Sequence, residues 1–266
     1  MGQIQTRLRD QFRRVLMVCA IASMQVAGIA APRSTWMELG SVLPSQQSIG
    51  LAESMIRSKA LEQMTSLERR EYLEDHPVSV VHGPRGKLHL VDGHHLSWAL
   101  LDLSSRGIME AKAPAKVLAD LSSSGEEEFW RIMRERNWVW LYDAADKPIQ
   151  PADLPLRLRD LKDDRHRSLA WLLREEGCFE DLDQPFQEFY WARYLRKKVT
   201  VNDNRASTLR AALLAAKALA HGEDTVALPG YSRQHAQNPH TEISKKNRRR
   251  IDSLESRFGE SDSRRR

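Results

Sequence analysis

The sequence predicts an α+β fold, with a small mixed-sheet core followed by a helical C-terminal half. Between residues 77 and 92, apolar and polar side chains alternate on both sides of a Gly/Pro turn, which is typical of a β-hairpin. Between residues 164 and 221, apolar side chains recur every three or four positions in three segments, which indicates amphipathic helices. A chain of 266 residues, 41% of them hydrophobic, is long enough to bury one large core.

The first 31 residues have the pattern of a secretory signal peptide. Arginines between positions 7 and 14 precede a mostly apolar stretch, and Gly28-Ile29-Ala30 places small residues where a signal peptidase cleaves. Cleavage predicts a periplasmic or secreted protein with no integral membrane segment, whereas an uncleaved chain would be cytoplasmic. The alternatives are an ordinary amphipathic helix and a start codon placed too far upstream.

Residues 32–147 form the predicted α/β core. Residues 36–50 are expected to be extended, and residues 51–74 repeat apolar side chains at helical spacing, which predicts one helix. The other predicted elements of the core are hairpin strands over 77–81 and 87–92, a helix that begins at His94, a strand over 113–118, a helix over 126–137 and an aromatic strand over 138–142.

The helical half is predicted over residues 148–231 and packs on the core, because no flexible linker separates the two. Its helices are expected at 164–176, 185–198 and 206–221, and Arg167 near the start of the first could reach a site in the core. Residues 232–266 are polar and basic with few apolar side chains, which predicts a disordered tail.

The net charge of +5 is unevenly distributed along the chain. Residues 1–14 carry a net charge of +3 and residues 233–266 carry +5, so the intervening body carries −3. A folded nucleic-acid-binding domain usually presents its own basic face, and the net charge of the body gives no support for one. Any contact with nucleic acid is therefore expected through the basic tail, for which a solubilising role is the simpler interpretation.

The turn Asp92-Gly93-His94-His95 is the strongest candidate site in the sequence. It lies where the second hairpin strand passes into a helix, and the open N–H groups and dipole of a helix N-terminus favour an anion. Asp92 could bind Mg²⁺ or accept a proton, and His94 and His95 could hydrogen-bond a phosphate or act as acid and base. The structural alternatives are a helix-capping Asp92, with one histidine in the core and one on the surface.

Five further residues are candidates for ligand binding. Gly93 would permit close approach of a phosphate, and Gln46 and Ser97 are polar candidates beside it. Arg85 and Lys87 could supply positive charge from the hairpin loop, although a solvated turn is the favoured interpretation of both.

No metal site is predicted from the sequence. Asp92, His89, His94 and His95 supply suitable ligand atoms, but their spacing matches no standard ligand pattern. Adjacent histidines at a helix start also point to different sides. The two cysteines have no metal-type spacing and provide no disulfide framework.

The segment Asp92-Gly93-His94-His95, after a hairpin and before a helix, resembles the Asp-Gly-His-His-Arg signature of the ParB/sulfiredoxin superfamily. Leu43-Pro44-Ser45-Gln46 with Ile49-Gly50, and then residues 163–171 and 185–192, resemble segments of its ParB-like nuclease branch in the same order. The resemblance runs from about residue 36 to residue 231.

The resemblance implies a small α/β core that holds the phosphate groups of a nucleotide at this turn, with Mg²⁺ as a cofactor that could accompany the nucleotide. The superfamily includes partition proteins that bind CTP, sulfiredoxin and free-serine kinases, so it implies no single activity. Three departures argue against the best-known reactions. His94 stands where sulfiredoxin has a reactive Cys, Leu96 where the signature has Arg, and Gln46 where the kinases have a Glu base.

Three functions follow as hypotheses. The first is a ParB/sulfiredoxin-like protein that binds a small phosphorylated ligand or nucleotide at the turn 92–95, as a phosphotransferase or hydrolase. The second is a DNA-binding protein or nuclease of the ParB-like type, and the third is an exported, non-catalytic protein that binds an anionic ligand. A cleaved signal would place the protein where ATP and CTP are scarce, which disfavours a kinase.

Overall fold

A five-stranded mixed sheet forms the centre of the core in the computed structural model, which describes residues 35–182, 184–232 and 242–255. Its strands are β1 (Thr35–Glu38), β2 (Leu43–Pro44), β4 (Val78–His82), β5 (Leu88–Asp92) and β6 (Lys112–Asp120), and β3 (Ser48–Ile49) and β7 (Lys162–Asp163) form a separate parallel pair. The spatial order of the large sheet is β1-β6-β4-β5-β2. β4 and β5 are the antiparallel hairpin that the sequence predicts, whereas β4 pairs with β6 in parallel.

Helices cover both faces of this sheet and build the second half of the chain. They are α1 (Leu51–Glu62), α2 (Ser66–Asp75), α3 (His94–Ser105), α4 (Glu126–Glu135), α5 (Arg165–Glu175), α6 (Gln187–Arg196), α7 (Ala206–Leu219) and α8 (Lys245–Asp252). Within the described ranges, none of the helices has the length and apolar character needed to span a membrane.

The two faces of the hairpin bury different apolar clusters. Val80 and Leu90 pack in one cluster with side chains of α1 and α3. Val81 and Val91 pack on the opposite face, where Phe129 of α4 covers them. The predicted alternation along the strands is confirmed, although helices cover both faces.

A larger apolar cluster lies within the helical half. α5, α6 and α7 contribute fully buried side chains to it, among them Leu173, Trp191 and Leu213. α1 contributes Ala52 and Ile56 to the same cluster, and its last turn also packs in the sheet core. A mixed sheet followed by a helical second half is therefore confirmed, and α1 joins the two.

The region 51–74 forms two helices instead of the single helix predicted. α2 begins anew because Thr65 and Glu68 form a capping box, in which each side chain accepts a hydrogen bond from the backbone N–H of the other residue. The predicted aromatic strand 138–142 makes only two isolated bridges. Trp140 packs among the aromatic rings of α6 and does not continue the sheet.

Part of the predicted disordered tail is a folded helix. α8 lies within residues 232–266, and Ile251 of α8 and Leu254 just after it are buried in the cluster of the helical half. The segment is rich in Lys and Arg, but Ile243, Asn247, Ile251 and Leu254 recur at helical spacing and form a narrow buried stripe. The prediction of disorder is therefore wrong for residues 242–255. The predicted signal peptide lies outside the described residues, and the boundary at residue 147 stays a prediction.

Candidate functional site

A cavity of about 830 Å³ lies between the sheet and the helical half. The end of β5, the N-termini of α3 and α6, one face of α1 and side chains of α5 form its walls. The predicted turn, residues 92–95, is part of these walls. The structure therefore brings Asp92, His94 and His95 together with groups from the second half of the chain.

Gly93 lets α3 begin directly after β5. Its φ of +92° lies in the left-handed region, which L side chains rarely adopt, and a Cβ here would lie 2.7 Å from Cγ1 of Val78. The N-cap residue Gly93 has no side chain to cap α3, the Asp92 carboxylate reaches the N–H of Gly93, and residues 93–96 line the cavity. The first turn of α3 is therefore available to an anion in the cavity.

His94 uses its ring to hold a neighbouring loop. Its Nε2 atom accepts a hydrogen bond of 3.2 Å from the backbone N–H of Ser45. Because a backbone N–H can only donate, Nε2 carries no proton and the ring is the neutral Nδ1–H tautomer. Burial, together with the positive charge of Arg167, lowers the pKa of His94 to about 3. The ring is therefore neutral near pH 7.

His95 holds a second part of the same loop. Its Nε2 accepts a hydrogen bond of 3.0 Å from the N–H of Gly50 and lies 3.5 Å from Oε2 of Glu53. Burial, and then the charges of Arg167 and Arg57, lower the pKa of His95 well below its usual value. With Nε2 accepting in both histidines, the N–H that remains on each neutral ring is at Nδ1, and the lowered pKa values do not support acid–base work near pH 7.

Asp92 is the carboxylate at the start of α3. Its side chain is exposed to the cavity and accepts a hydrogen bond from the Gly93 N–H. The cavity walls nevertheless displace much of its water, which raises the pKa of the carboxyl; the Gly93 N–H opposes this rise and the charge of Glu188 adds to it. Asp92 forms no salt bridge with any residue of the described ranges, so its carboxylate is available to a proton or a cation.

A chain of ion pairs connects α1, α5 and α6 along the cavity wall. Glu53 pairs with Arg57 at 2.8 Å and with Arg167 at 3.0 Å. Glu188 pairs with Arg167 at 3.2 Å and with Arg174 at 2.5 Å. The side chains of Glu53 and Arg167 are 2% and 7% exposed, so this network is largely shielded from water. Such pairs fix the relative positions of three helices around the site.

The other predicted ligand-binding residues do not all reach the cavity. Gln46 lines it, and its Nε2 donates a hydrogen bond of 2.7 Å to the carbonyl oxygen of Ser48. Ser97 is fully buried within α3 and is not among the lining residues. Arg85 and Lys87 are exposed in the turn before β5, at the opposite end of this strand from Asp92. Because a strand rises about 3.3 Å per residue, the length of β5 separates them from the turn 92–95. The structure therefore favours the solvated-turn interpretation of these two.

Sequence reasoning missed several residues that line the cavity. Ser79 of β4 and Lys116 of β6 reach it because of how the strands pair, and hydrophobic alternation does not fix which residues pair across parallel strands. Glu53 and Glu188 resemble ordinary surface acids of charged helices. One sequence signal could have indicated that Glu53 is buried: the residue before it, Ala52, lies on the apolar face of α1. In the described part of the chain, no group of three or more His, Cys, Asp or Glu could hold a metal ion.

Comparisons with known proteins agree with this architecture. Residues 35–197 match the model of a family described as "Putative ParB-like nuclease". The crystal structure of protein Atu1540 from Agrobacterium tumefaciens is similar, with 32% sequence identity and a TM-score of 0.65, over 76% of this chain and 98% of that chain. No curated protein matches the chain significantly. Because the family match covers more than half of the chain and includes the hairpin, the turn 92–95 and α1 to α6, the chain belongs to the ParB-like nuclease family.

Proposed function

We propose that the protein binds a small phosphate-containing ligand or nucleotide in the cavity, at the turn 92–95. The observation that supports this most directly is the uncapped N-terminus of α3, whose first turn lines a cavity of about 830 Å³. A helix N-terminus combines free N–H groups with the positive end of the helix dipole, which suits a phosphate. The Nδ1–H groups of His94 and His95 add neutral donors beside it.

The charge of the cavity lining favours a small ligand over a long polyanion. Four cationic side chains line it, and five acidic side chains accompany them: Arg57, Lys116, Arg167 and Arg174, with Glu53, Asp75, Asp92, Asp181 and Glu188. A surface that binds a nucleic-acid backbone is expected to carry a large excess of positive charge. A ligand with one or a few phosphates needs only a local donor set, which α3 supplies.

Asp92 is the residue best placed for phosphoryl-transfer or hydrolase chemistry. Its carboxylate is adjacent to the proposed phosphate position and has a raised pKa, so it can accept a proton from an attacking hydroxyl or water. A Mg²⁺ ion that enters with a nucleotide usually keeps several waters and needs only one or two carboxylates, which a single Asp92 satisfies. The two histidines hold loops and donate hydrogen bonds in this scheme.

Binding is tested by calorimetric titration of the full chain with inorganic phosphate, ADP, ATP and CTP, with and without Mg²⁺. At least one should bind and raise the melting temperature. Asp92→Asn should tighten binding of a metal-free phosphate, because a like charge is removed, and weaken binding of a Mg²⁺ complex. The control is Asp120→Asn, because Asp120 is the last residue of β6 and lies outside the cavity lining. This variant should change neither the affinity for metal-free phosphate nor the affinity for a Mg²⁺ complex. Binding that is insensitive to Asp92→Asn, or no binding at all, contradicts the proposal.

A second candidate, DNA binding or cleavage, is favoured by the description of the family. It predicts duplex binding that weakens steeply with salt, and cleavage in Mg²⁺ that Asp92→Asn removes. Because α8 packs in the core, deletion of residues after 231 is not a clean test. Neutralising its exposed Lys245 and Arg249 with Gln is the gentler variant, and binding that survives it would have to involve the body of the protein.

A further inference from the structure

Three polar side chains form a row across the sheet at the cavity. Ser79 of β4 pairs with Asp92 of β5 on one side and with Lys116 of β6 on the other. All three line the cavity. The pair Ser79–Asp92 lies at a register shift of the hairpin, where Val91 is an extra residue of β5, so their common place in the cavity wall is what sets the three side chains together. The row therefore sets a carboxylate, a hydroxyl and an ammonium side by side, and strands about 4.8 Å apart place its outer Cα atoms roughly 10 Å apart.

Lys116 differs from the three arginines of the cavity. Arg57, Arg167 and Arg174 each form an ion pair with Glu53 or Glu188. Lys116 is exposed to the cavity and pairs with no carboxylate of residues 35–182, 184–232 or 242–255. Its ammonium group is therefore the cation that an incoming anion can bind without displacing a protein carboxylate.

Asp92 and Ser79 complete a bipolar surface. The carboxylate of Asp92 has no cationic partner in the described part of the chain, and it accepts hydrogen bonds from a ligand hydroxyl or amine. The hydroxyl of Ser79, between the two charges, can donate to an anion on one side or accept from a hydroxyl on the other. The complement of this row is a molecule with an anionic end and a hydrogen-bond-donating end.

We propose that the row Asp92–Ser79–Lys116 selects a small organic phosphate with a hydroxyl group on its carbon skeleton. Lys116 and Ser79 bind the phosphate from the sheet side of the cavity, opposite the first turn of α3, and Asp92 beside that turn accepts the hydrogen bond of the hydroxyl. The side chains extend from both ends of a span of roughly 10 Å, so a skeleton of a few carbon atoms bridges them. This inference rests on the proposed phosphate-binding function and adds the ligand class and the residues that select it.

Calorimetric titration of the full chain with inorganic phosphate, glycerol 3-phosphate and glycerol tests the phosphate contact. Lys116→Met should weaken binding of both phosphates by at least about tenfold, because a charge-assisted hydrogen bond is lost. Lys87→Met is the matched control, since it removes an exposed lysine that directly precedes β5 and lies outside the cavity lining, and it should leave both affinities unchanged. If the wild type binds phosphate and Lys116→Met binds it equally well, the row is not the phosphate site, while the proposed function survives.

The hydroxyl contact is tested by a ratio of affinities. Glycerol 3-phosphate should bind the wild type more tightly than inorganic phosphate, by about tenfold, and this advantage should largely disappear in Asp92→Asn. The ratio cancels the change in charge repulsion, which affects both ligands. Equal affinity of the two phosphates in the wild type overturns the selection of a hydroxyl. Failure of every phosphate compound to bind the wild type overturns the proposed function and this inference with it.

Discussion

Two buried glutamates organise the helical half in different ways. Glu53 lies in the cavity wall, where it pairs with Arg57 and Arg167 and approaches His95. Glu176 lies on the other side of α5, where the ammonium of Lys217, the hydroxyl of Ser244 and the amide of Asn247 all donate to it. Both carboxylate side chains are 2% exposed.

The two glutamates differ in whether the hydrogen-bond network around each is closed, that is, made up entirely of protein groups that have partners. Every donor around Glu176 comes from the protein, and the result is a docked α8. The network around Glu53 runs along a cavity and leaves the Nε atom of Arg167 without a hydrogen-bond partner in the described structure. A closed network holds an element in place, whereas one that borders a cavity also sets the electrostatics that a ligand meets.

The largest expected effect comes from removing the centre of the cavity network. Arg167→Met leaves Glu53 and Glu188 buried with less compensation, and the loss of one partner from a buried ion pair typically costs about 3–5 kcal/mol. The free energy of unfolding from urea denaturation should fall by about that amount. Arg165→Met, on the same helix with a side chain 45% exposed, is the control and should change stability by less than about 0.5 kcal/mol. Similar losses in both variants would mean that the network has no special role.

A smaller effect is expected at the closed network. Glu176→Gln keeps the shape and some hydrogen bonds but removes the charge, so we expect a loss of about 1.5–3 kcal/mol and faster proteolysis around α8. Glu128→Gln is the control, because Glu128 pairs with Arg131 on the exposed surface of α4, away from α8, and it should change neither stability nor proteolysis around α8. Ligand binding in the cavity should remain unchanged in Glu176→Gln. A loss of binding there would show that the two networks are coupled.

The effect that is smallest near neutral pH, and grows only as the pH falls, is a difference in pH dependence. The pKa of His94 falls from its ordinary value of 6.5 to about 3 on folding, first through burial. Between these values the unfolded chain binds a proton that the folded protein excludes, so stability is full above pH 6.5 and is lost as the pH falls toward 3. Each such group contributes about 1.4 kcal/mol per pH unit. His94→Asn should reduce the slope by that amount in urea titrations between pH 6.5 and 4.5, and an unchanged slope would contradict the neutral, buried ring.

The hairpin, the turn and most helices could be predicted because their signals are local. Alternation of apolar and polar side chains specifies a strand, and Gly93 before an apolar helical pattern specifies where β5 ends and α3 begins. α8 could not be predicted, because its few apolar residues gain stability only from a partner distant in the chain. The break at Thr65 has a local signal of its own, the capping-box pattern of Thr65 with Glu68, which marks the start of a new helix.

The candidate site was predictable as a place but not as a set of contacts. The turn 92–95, which the sequence singles out through its polar residues between a strand and a helix, lines the cavity, and its role as a binding site stays a prediction. The partners of His94 and His95 are backbone N–H groups more than 40 residues away, which side-chain chemistry alone does not reveal. Lys116 could not be predicted as a cavity residue for a similar reason: the order and pairing of the strands decide which lysine lies near the turn 92–95.

The packing of α8 has a consequence for synthesis of the protein. Asn247 of α8 donates to the carbonyl oxygen of Leu172 in α5, 75 residues earlier in the chain. On the ribosome, α5, α6 and α7 are therefore made well before the residues that cover them. The nascent helical half keeps an open apolar face during that interval, and it completes its fold only after α8 has been translated.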